Sequence, residues 1–381
     1  MTSIIDKLYH ILNSGSFYLL SFLIIMSIIV FVHEYGHYIV AKLCKVKIEV
    51  FSIGFGPELF GINDKSGTRW KFSLIPVGGY VKMLGDENPS STEGSSDSLP
   101  EEEKFFAFCE KPLHQKFFIA LAGPLANLIF AIAVLTVLFS TKGIIQHNSV
   151  IGNIVEGSVA QYAGLMPGDI ILEVNDNQVK WFEEIKQYIK KYAQDNQEEL
   201  LIKYSRNGHV HTIKVKPSIK EEKGIFGGIK KVPFLGITIS NAITSYETRK
   251  LSISDSFIQS INYTYLLSKS IFQVLGQMLT GKRSIYELGG PIRIAQYSGE
   301  SVKQIEVLLC IAMISINLGI MNLLPIPMLD GGHIFQYFIQ AIIRRRQLDP
   351  KYQKYASTIG LMLLLSLMIF VTFNDIKSMF K

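Results

Sequence analysis

The fold of this chain is decided by one apolar stretch, residues 11–41, which reads ILNSGSFYLLSFLIIMSIIVFVHEYGHYIVA. Residues 11–32 carry no charge, and a helix of about 20 such residues crosses the roughly 30 Å hydrocarbon core of a bilayer. His33 and His37 are four residues apart, so on a helix they share one face and can bind one zinc ion. Glu34 lies between them and can act as the general base toward an attacking water.

A buried structural cluster is the alternative to a metal site at this position. Ionisable groups are costly at membrane depth, and where they occur they usually mark a functional site. The sequence therefore favours a zinc hydrolase. Zinc is inferred from the ligand types, which related metals also accept.

Three further uncharged runs predict membrane helices at 117–141, 307–329 and 356–373, which makes four spans in a polytopic α-helical membrane protein. Lysines follow the first span, and basic residues from Arg344 to Lys354 crowd the third loop, so the positive-inside rule places both loops in the cytoplasm. Both termini and the long segment from about residue 142 to 303 then lie outside. The first span is expected to remain uncleaved.

Composition agrees with this class, since 48% of the 381 residues are hydrophobic. The net charge of +6 comes without a basic cluster of the nucleic-acid type, so no nucleic-acid partner is predicted. Under this topology Cys44, Cys109 and Cys310 lie in cytoplasmic or membrane positions, and no disulfide framework is available. The segment 86–104 is rich in Ser, Glu, Asp and Pro, which predicts a disordered linker.

A third metal ligand is needed, because two histidines and a water leave tetrahedral zinc one ligand short. Residues 322–333, NLLPIPMLDGGH, begin near the inner end of the predicted span 307–329 and offer Asp330 and His333. The prolines are expected to break the helix, and Gly331 and Gly332 are expected to permit a sharp turn, which membrane depth tolerates only beside a buried site. Chemistry alone favours Asp330 but leaves His333 open.

The pair His33-Glu34-x-x-His37 and Leu329-Asp330-Gly331 resembles the paired motifs of the site-2 protease family of intramembrane zinc metalloproteases. The resemblance covers nearly the whole chain and is closest to the bacterial regulator of sigma-E branch. It implies one zinc ion per chain, held by His33, His37 and Asp330, with Glu34 as catalytic base.

Two short segments, 52–57 and 72–83, resemble the membrane re-entrant β hairpin of the family. β-prone residues separated by glycines predict strands and turns, which also suit an ordinary cytoplasmic hairpin. An edge strand near zinc could hold an unwound substrate extended for attack. The resemblance implies that Gly54, Phe55 and Gly56 in this hairpin bind substrate, together with Asn322 near the inner end of the predicted span 307–329. Asn322 could instead cap the broken helix.

The segment 122–127, AGPLAN, fits the family's second span and by itself also suits close helix packing. Residues 158–175, SVAQYAGLMPGDIILEVN, resemble the bacterial PDZ pattern. A helix near 182–189 and strands at 199–204 and 210–215 complete a small half-open barrel. We therefore predict one extracytoplasmic PDZ domain at residues 145–220, whereas the regulator of sigma-E branch carries two in tandem.

The remaining segments complete a division into four parts. Residues 255–280 predict an amphipathic interfacial helix, with a plain surface helix as the alternative, and residues 288–295 resemble the family's approach to the third span. Residues 1–144 hold the first two spans, the hairpin and the cytoplasmic loop, and residues 145–220 form the PDZ domain. Residues 221–303 form a linker with the amphipathic helix, and residues 304–381 hold the last two spans.

These observations predict an endopeptidase of the bacterial inner membrane that cleaves single-span membrane proteins within the bilayer, with its active site toward the cytoplasm and its PDZ domain in the periplasm. By resemblance, the substrate is an anti-sigma factor already trimmed by a site-1-type protease, and the PDZ domain screens out bulky outer domains. The alternative is a non-catalytic PDZ membrane adaptor with a structural metal. The intact Glu34 favours catalysis, because a structural zinc site needs no general base. Metal transport is disfavoured, since the second and fourth spans offer almost no polar ligands.

Overall fold

The computed structural model describes residues 4–85, 99–195, 199–223, 229–239, 246–303, 306–344 and 350–379. Two compact units make up the chain: a helical unit, Met1–Thr136 with Phe257–Lys381, and a β-rich unit, Val137–Ser256. Most of the predicted disordered linker, residues 86–98, lies outside the described residues, as do Arg345 and Arg346 of the predicted topology anchor.

Helices and one long hairpin form the helical unit. Elements are numbered in chain order, and those of this unit are α1 (Ile4–Leu43), β1 (Ile48–Asn63), β2 (Arg69–Met83), α2 (Glu101–Lys104), most of α3 (Leu113–Lys142), most of α6 (Ile253–Leu279), α7 (Pro291–Lys303), α8 (Val307–Asn322), α9 (Asp330–Ile342) and α10 (Pro350–Met379).

Three helices in the described part of the chain are long and apolar enough to cross a membrane: Gly15–Leu43 within α1, the whole of α3, and Tyr355–Lys377 within α10. They coincide with three of the four predicted spans. The run predicted as a continuous span over 307–329 is different, because α8 has only 16 residues and stops at Asn322. Two prolines follow within five residues, and a proline lacks the backbone donor and clashes with the preceding turn.

The helices α1, α3 and α8 pack together around Ile25, Ile29 and Cys310, which are at most 2% exposed. Small residues allow close approach. A Cβ on Gly36 of α1 would lie 2.5 Å from the carbonyl oxygen of Ala122 on α3, and a Cβ on Gly319 of α8 would lie 3.0 Å from that of Pro124. The AGPLAN segment of α3 is therefore a site of close helix packing, as small residues at membrane-helix interfaces usually are.

The strands β1 and β2 form an antiparallel hairpin that runs from Ile48 paired with Met83 to Asn63 paired with Arg69. Asp64 closes its turn, since its Oδ1 accepts hydrogen bonds from the backbone N–H groups of Ser66 and Thr68 at 2.8 and 2.9 Å. Its Oδ2 accepts from the indole of Trp70 at 3.1 Å. The predicted β hairpin is present and is longer than the two segments that indicated it.

The hairpin is attached to α1 by an aromatic cluster. Phe51 is 1% exposed and stacks on Trp70 with ring centroids 4.2 Å apart. Tyr38 of α1 meets Phe51 edge-on with centroids 5.8 Å apart. Such pairs prefer these geometries and add to the free energy gained by burial, so the hairpin has a fixed position beside the His-Glu-x-x-His motif.

Residues 323–329 connect α8 to α9 without helical structure, and the left-handed conformation in this loop is at Met328, with φ 76°. Gly331 and Gly332 do not form the turn that the sequence suggested; they lie in the first turn of α9. A Cβ on either glycine would lie 2.3 Å from a loop carbonyl oxygen, that of Leu324 or Ile326. The two glycines therefore let α9 begin directly against the loop backbone.

The carboxyl-terminal part of α10 holds the start of α7. Asp375, 1% exposed, accepts hydrogen bonds from the backbone N–H groups of Gly290 and Arg293 at 3.0 and 3.1 Å. These are amino-terminal donors of a helix, which have no partner within the helix. The predicted helix over 255–280 corresponds to α6, and the predicted segment 288–295 leads into α7.

The β-rich unit contains β3 (Ile144–His147), β4 (Ile151–Ile154), α4 (Val159–Tyr162), β5 (Ile170–Val174), β6 (Asn177–Gln178), α5 (Phe182–Asp195), β7 (Leu200–Arg206), β8 (His209–Val215), β9 (Ser218–Lys223), β10 (Ile229–Phe234), β11 (Ile237–Ile239) and β12 (Tyr246–Arg249). A four-stranded sheet has the order β6-β5-β7-β8. Its core is formed by fully buried apolar side chains, among them Ile171, Phe182, Ile185, Leu200 and Ile202.

This unit extends beyond the predicted domain of residues 145–220. β11 pairs with β4, and β12 pairs with β3. Leu235, between β10 and β11, is 3% exposed and belongs to the same core. Residues 229–239 and 246–249, predicted as linker, thus supply strands to the compact unit. The pair Ile144 and Arg249 places the two ends of the unit beside each other.

Candidate active site

His33 and His37 project from consecutive turns of α1 toward Asp330, the first residue of α9. The two histidine Nε2 atoms are 3.4 Å apart. Asp330 Oδ2 lies 3.1 Å from Nε2 of His33, and Asp330 Oδ1 lies 3.4 Å from Nε2 of His37. One ligand atom from each residue falls within 4.8 Å of the others, so the three side chains can hold one metal ion.

Hydrogen bonding around this cluster fits a metal. Oδ2 of Asp330 is buried and forms no hydrogen bond with any described residue, since Nε2 of His33, 3.1 Å away, lies outside hydrogen-bond geometry. Buried carboxylate oxygens usually have a partner, and a metal ion would supply one here. Nδ1 of His37 lies 2.7 Å from the carbonyl oxygen of Ile119, so Nδ1 carries the proton and Nε2 keeps its lone pair. Two imidazoles and one carboxylate with an open position are a donor set of catalytic zinc.

Asp330 and His333 were both candidates for the third ligand. The cluster of convergent donor atoms contains Asp330, whereas His333 lies one turn further along α9 and lines the same cavity outside the cluster. The broken connection between α8 and α9 produces this difference, because it places the amino-terminal end of α9 against the two imidazoles.

Glu34 follows His33 on α1 and is 8% exposed. Strand β2 passes close to it at Gly79, where a Cβ would lie 2.9 Å from Glu34 Cγ and 2.7 Å from the carbonyl oxygen of Ser52. Only glycine permits this approach. The Glu34 side chain therefore packs against the hairpin backbone at Gly79.

A cavity of ≈ 460 Å³ opens at this cluster. Of the predicted substrate-binding residues, Phe55 and Asn322 line it, while Gly54 and Gly56 do not. Gly54 lies against the hairpin backbone with φ 91°, and a Cβ there would lie 2.8 Å from the carbonyl oxygen of Ile75. The other lining residues include hairpin residues that the sequence interpretation did not assign to the site: Gly79, Tyr80, Val81 and Met83.

Residues 79–83 of β2 form one edge of the hairpin. They pair with residues 48–53 of β1 on one side. No other strand in the described ranges pairs with them. Because Gly79, Tyr80 and Val81 line the cavity, this edge offers main-chain hydrogen-bonding groups to an extended peptide. The signal in the sequence was the Gly78-Gly79-Tyr80 run, where small residues allow the backbone to approach a neighbour.

Comparison with known proteins identifies the family, since residues 21–367 match peptidase family M50. The chain belongs to peptidase family M50. A protein of Agrobacterium fabrum that carries the name zinc metalloprotease is 36% identical over 366 residues, covering 95% of this chain and 96% of its own length. One of Rickettsia conorii is 37% identical over 370 residues, with 95% and 99% covered. Metalloprotease MmpA of Caulobacter vibrioides is 33% identical over 390 residues, with 94% and 95% covered.

The M50 protein is therefore a membrane-embedded zinc metalloprotease, and the predicted site-2 protease family, enzyme class and zinc cofactor are confirmed. The non-catalytic adaptor that competed with this interpretation is not supported, because both the family and these relatives are named for proteolysis.

Helix α3 packs directly against the imidazoles of this M50 peptidase. A Cβ on Gly123 would lie 2.2 Å from Nε2 of His37 and 2.9 Å from Cε1 of His33. Four residues later on the same helix, Asn127 is fully buried, with Nδ2 3.2 Å from Nδ1 of His33. The AGPLAN segment was predicted only to fit the family's second span or to mark close helix packing, without a role at the site.

Proposed function

We propose that this M50 peptidase is an intramembrane endopeptidase that hydrolyses a peptide bond within the transmembrane segment of single-span membrane proteins. The observation that carries the proposal is the burial of His33, Glu34 and His37, with the half-buried Asp330 beside them, inside a unit that contains three helices of membrane-crossing length. Ionisable groups at such depth are retained for function. A protease with its residues placed there acts on peptide bonds that lie in the bilayer.

The catalytic roles follow from the donor set. His33, His37 and Asp330 hold the zinc, which when bound polarises the scissile carbonyl and acidifies water. A carboxylate oxygen of Glu34 accepts a proton from the attacking water and then passes it to the leaving amine. Glu34 is suited to this because it lines the cavity beside the ligands without belonging to the cluster of ligand atoms.

Substrate binding requires an extended backbone, because the peptide bonds of a helix are hydrogen-bonded within the helix. The free edge at residues 79–83 supports strand addition by the substrate, and the Asn322 amide supports a hydrogen bond to the unwound segment. Phe55 and Tyr80, stacked with ring centroids 6.0 Å apart, supply aromatic surface for apolar substrate side chains. The energy of these contacts offsets the unwinding of the substrate helix.

The biological setting is proposed from the resemblance. We propose that the protein lies in the bacterial inner membrane. Its active site would face the cytoplasm, and the β-rich unit and both termini would lie in the periplasm. The substrate is an anti-sigma factor after a first cleavage by a site-1-type protease, as part of regulated intramembrane proteolysis. The β-rich unit is proposed to be a single PDZ domain that excludes substrates with bulky outer domains.

The proposed activity is tested by expressing the wild type and Glu34→Gln beside a library of single-span membrane proteins. We expect fragments cut within the membrane segment to require Glu34, and activity on the best substrate to fall about 10²- to 10⁴-fold in Glu34→Gln, because general-base catalysis contributes that much. Bound zinc should stay near one per chain. Glu156→Gln, in an exposed position of the β-rich unit, is the matched control and should cleave normally. Full cleavage by Glu34→Gln would contradict the assigned mechanism.

Removing the β-rich unit tests its proposed filtering role. Residues 144–249 can be replaced by a short linker, because Ile144 and Arg249 are paired neighbours. Zinc and cleavage should persist, since His33, Glu34, His37 and Asp330 all lie in the helical unit. Untrimmed substrate should now be cut, with little change for pre-trimmed substrate, as immunoblots of both forms would record. Loss of cleavage for both forms with zinc retained would show that the unit recruits substrate instead.

A further inference from the structure

Asn127 of α3 is a fully buried side chain whose hydrogen bonding is incomplete. Its Nδ2 lies 3.2 Å from Nδ1 of His33. Its Oδ1 is buried and has no hydrogen-bond partner among the described residues. The residue itself is held firmly, because the Ser315 hydroxyl of α8 donates to the Asn127 carbonyl oxygen at 2.9 Å and Gly319 of α8 packs against the Asn127 Cβ.

The donor atoms at the metal cluster determine where each imidazole carries its proton. Nε2 of His33 and Nε2 of His37 both face the Asp330 carboxylate, so each needs a free lone pair to bind zinc. A neutral imidazole then carries its proton on Nδ1. For His37 this proton is donated to the carbonyl oxygen of Ile119, which can only accept.

For His33, the group beside Nδ1 is the Asn127 amide, whose only acceptor atom in the side chain is Oδ1. The two orientations of a carboxamide fill nearly the same space and differ in which end meets the neighbour. With Nδ2 toward His33, Nδ1 must accept and the proton moves to Nε2, where it competes with the metal. With Oδ1 toward His33, Nδ1 donates, Nε2 is free and the buried oxygen gains a partner.

We propose that Asn127 is a positioning residue that accepts the Nδ1–H of His33 through Oδ1 and thereby holds Nε2 of His33 toward the zinc. The proposal rests on the zinc site of the proposed function. Asn127 would thus accept the Nδ1 proton of His33, as the Ile119 carbonyl oxygen accepts that of His37. Partners of this kind fix the tautomer and the ring orientation of metal-binding histidines, and their removal typically lowers metal affinity 10- to 100-fold.

The test measures zinc affinity by chelator competition on the purified full-length chain. Asn127→Leu keeps the size and removes hydrogen bonding, whereas Asn127→Asp offers only acceptors. We expect Asn127→Leu to weaken zinc binding about 10- to 100-fold and Asn127→Asp to bind zinc at least as tightly as the wild type. Thr136→Val, which removes a hydroxyl that donates to the Ile132 carbonyl at 2.7 Å on the same helix, is the control and should leave affinity unchanged.

Unchanged affinity in Asn127→Leu, or a loss in Asn127→Asp as large as that in Asn127→Leu, would overturn the proposal. If Asn127→Leu does not fold, Asn127→Asp decides alone, because an acceptor-only side chain works in the proposed orientation and fails in the opposite one. The absorption spectrum with cobalt in place of zinc is a second measurement, and Asn127→Asp should preserve the wild-type bands. Zinc binding by His37→Ala as tight as that of the wild type would instead refute the zinc site of the proposed function.

Discussion

Replacing Asp330 with alanine is expected to remove bound zinc and cleavage together. Its two carboxylate oxygens lie 3.1 and 3.4 Å from the Nε2 atoms of His33 and His37, and it is the only carboxylate in the described cluster of ligand atoms. The variant leaves two imidazoles, which is one ligand fewer than catalytic zinc sites use. Metal analysis of the purified protein should fall from about one zinc per chain to near zero, and fragment release should fall to background.

His333→Ala is the matched control, because His333 lies on the same helix and lines the same cavity. It should keep substantial zinc, since its ring lies outside the cluster of ligand atoms. Thermal unfolding of both variants separates loss of metal from loss of fold. The reverse pattern, with zinc kept in Asp330→Ala and lost in His333→Ala, would move the third ligand to His333.

The choice between Asp330 and His333 shows where sequence reasoning stops. The spacing of His33 and His37 fixes their geometry, because both belong to one continuous helix. Asp330 and His333 are three residues apart on another helix, so periodicity places both near one face. Which one meets the imidazoles depends on residues 323–329, including the left-handed Met328, and no local pattern specifies that path.

The position of the hairpin could not be predicted from local sequence either. Alternating β-prone residues and glycines indicated strands, and β1 and β2 are present. The close approach of Gly79 to Glu34 depends on long-range packing of the hairpin against α1, through Phe51 and Tyr38. The hairpin itself could thus be predicted, but of Gly54, Phe55 and Gly56, which the resemblance assigned to substrate binding, only Phe55 lines the cavity.

The boundaries of the β-rich unit were also beyond local patterns. The predicted strands at 199–204 and 210–215 correspond to β7 and β8. These two strands pair with each other and are adjacent in sequence, so a local pattern is enough to indicate them. By contrast, β3 pairs with β12 about a hundred residues later. Pairings that close such long loops leave no signature in a short window of sequence, so residues 229–249 were assigned to a linker.

Gly123→Ala is the second change from which we expect a large loss of zinc binding and cleavage, although it alters no ligand. The added methyl carbon would lie 2.2 Å from Nε2 of His37 and 2.9 Å from Cε1 of His33, well inside contact distance. Both rings are constrained: His37 donates to the Ile119 carbonyl, and His33 lies against buried Asn127. α3 is also fixed against α1 by the approach of Gly36 to Ala122. The methyl group must therefore displace the ligating nitrogens.

The fold is expected to persist, because alanine favours a helix over glycine by about 1 kcal/mol, which partly offsets the cost of crowding the buried rings. Zinc affinity should fall by more than about 10²-fold, exceeding the loss typical for a partner of a ligand, while the circular dichroism spectrum and the unfolding temperature of the zinc-free protein stay near those of the wild type. Gly15→Ala is the matched control, since Gly15 is also helical and a Cβ there meets no atom within 4 Å. Wild-type zinc affinity in Gly123→Ala would show that α3 lies further from the imidazoles than the structure places it, and would remove the basis for assigning either Gly123 or Asn127 to the metal site.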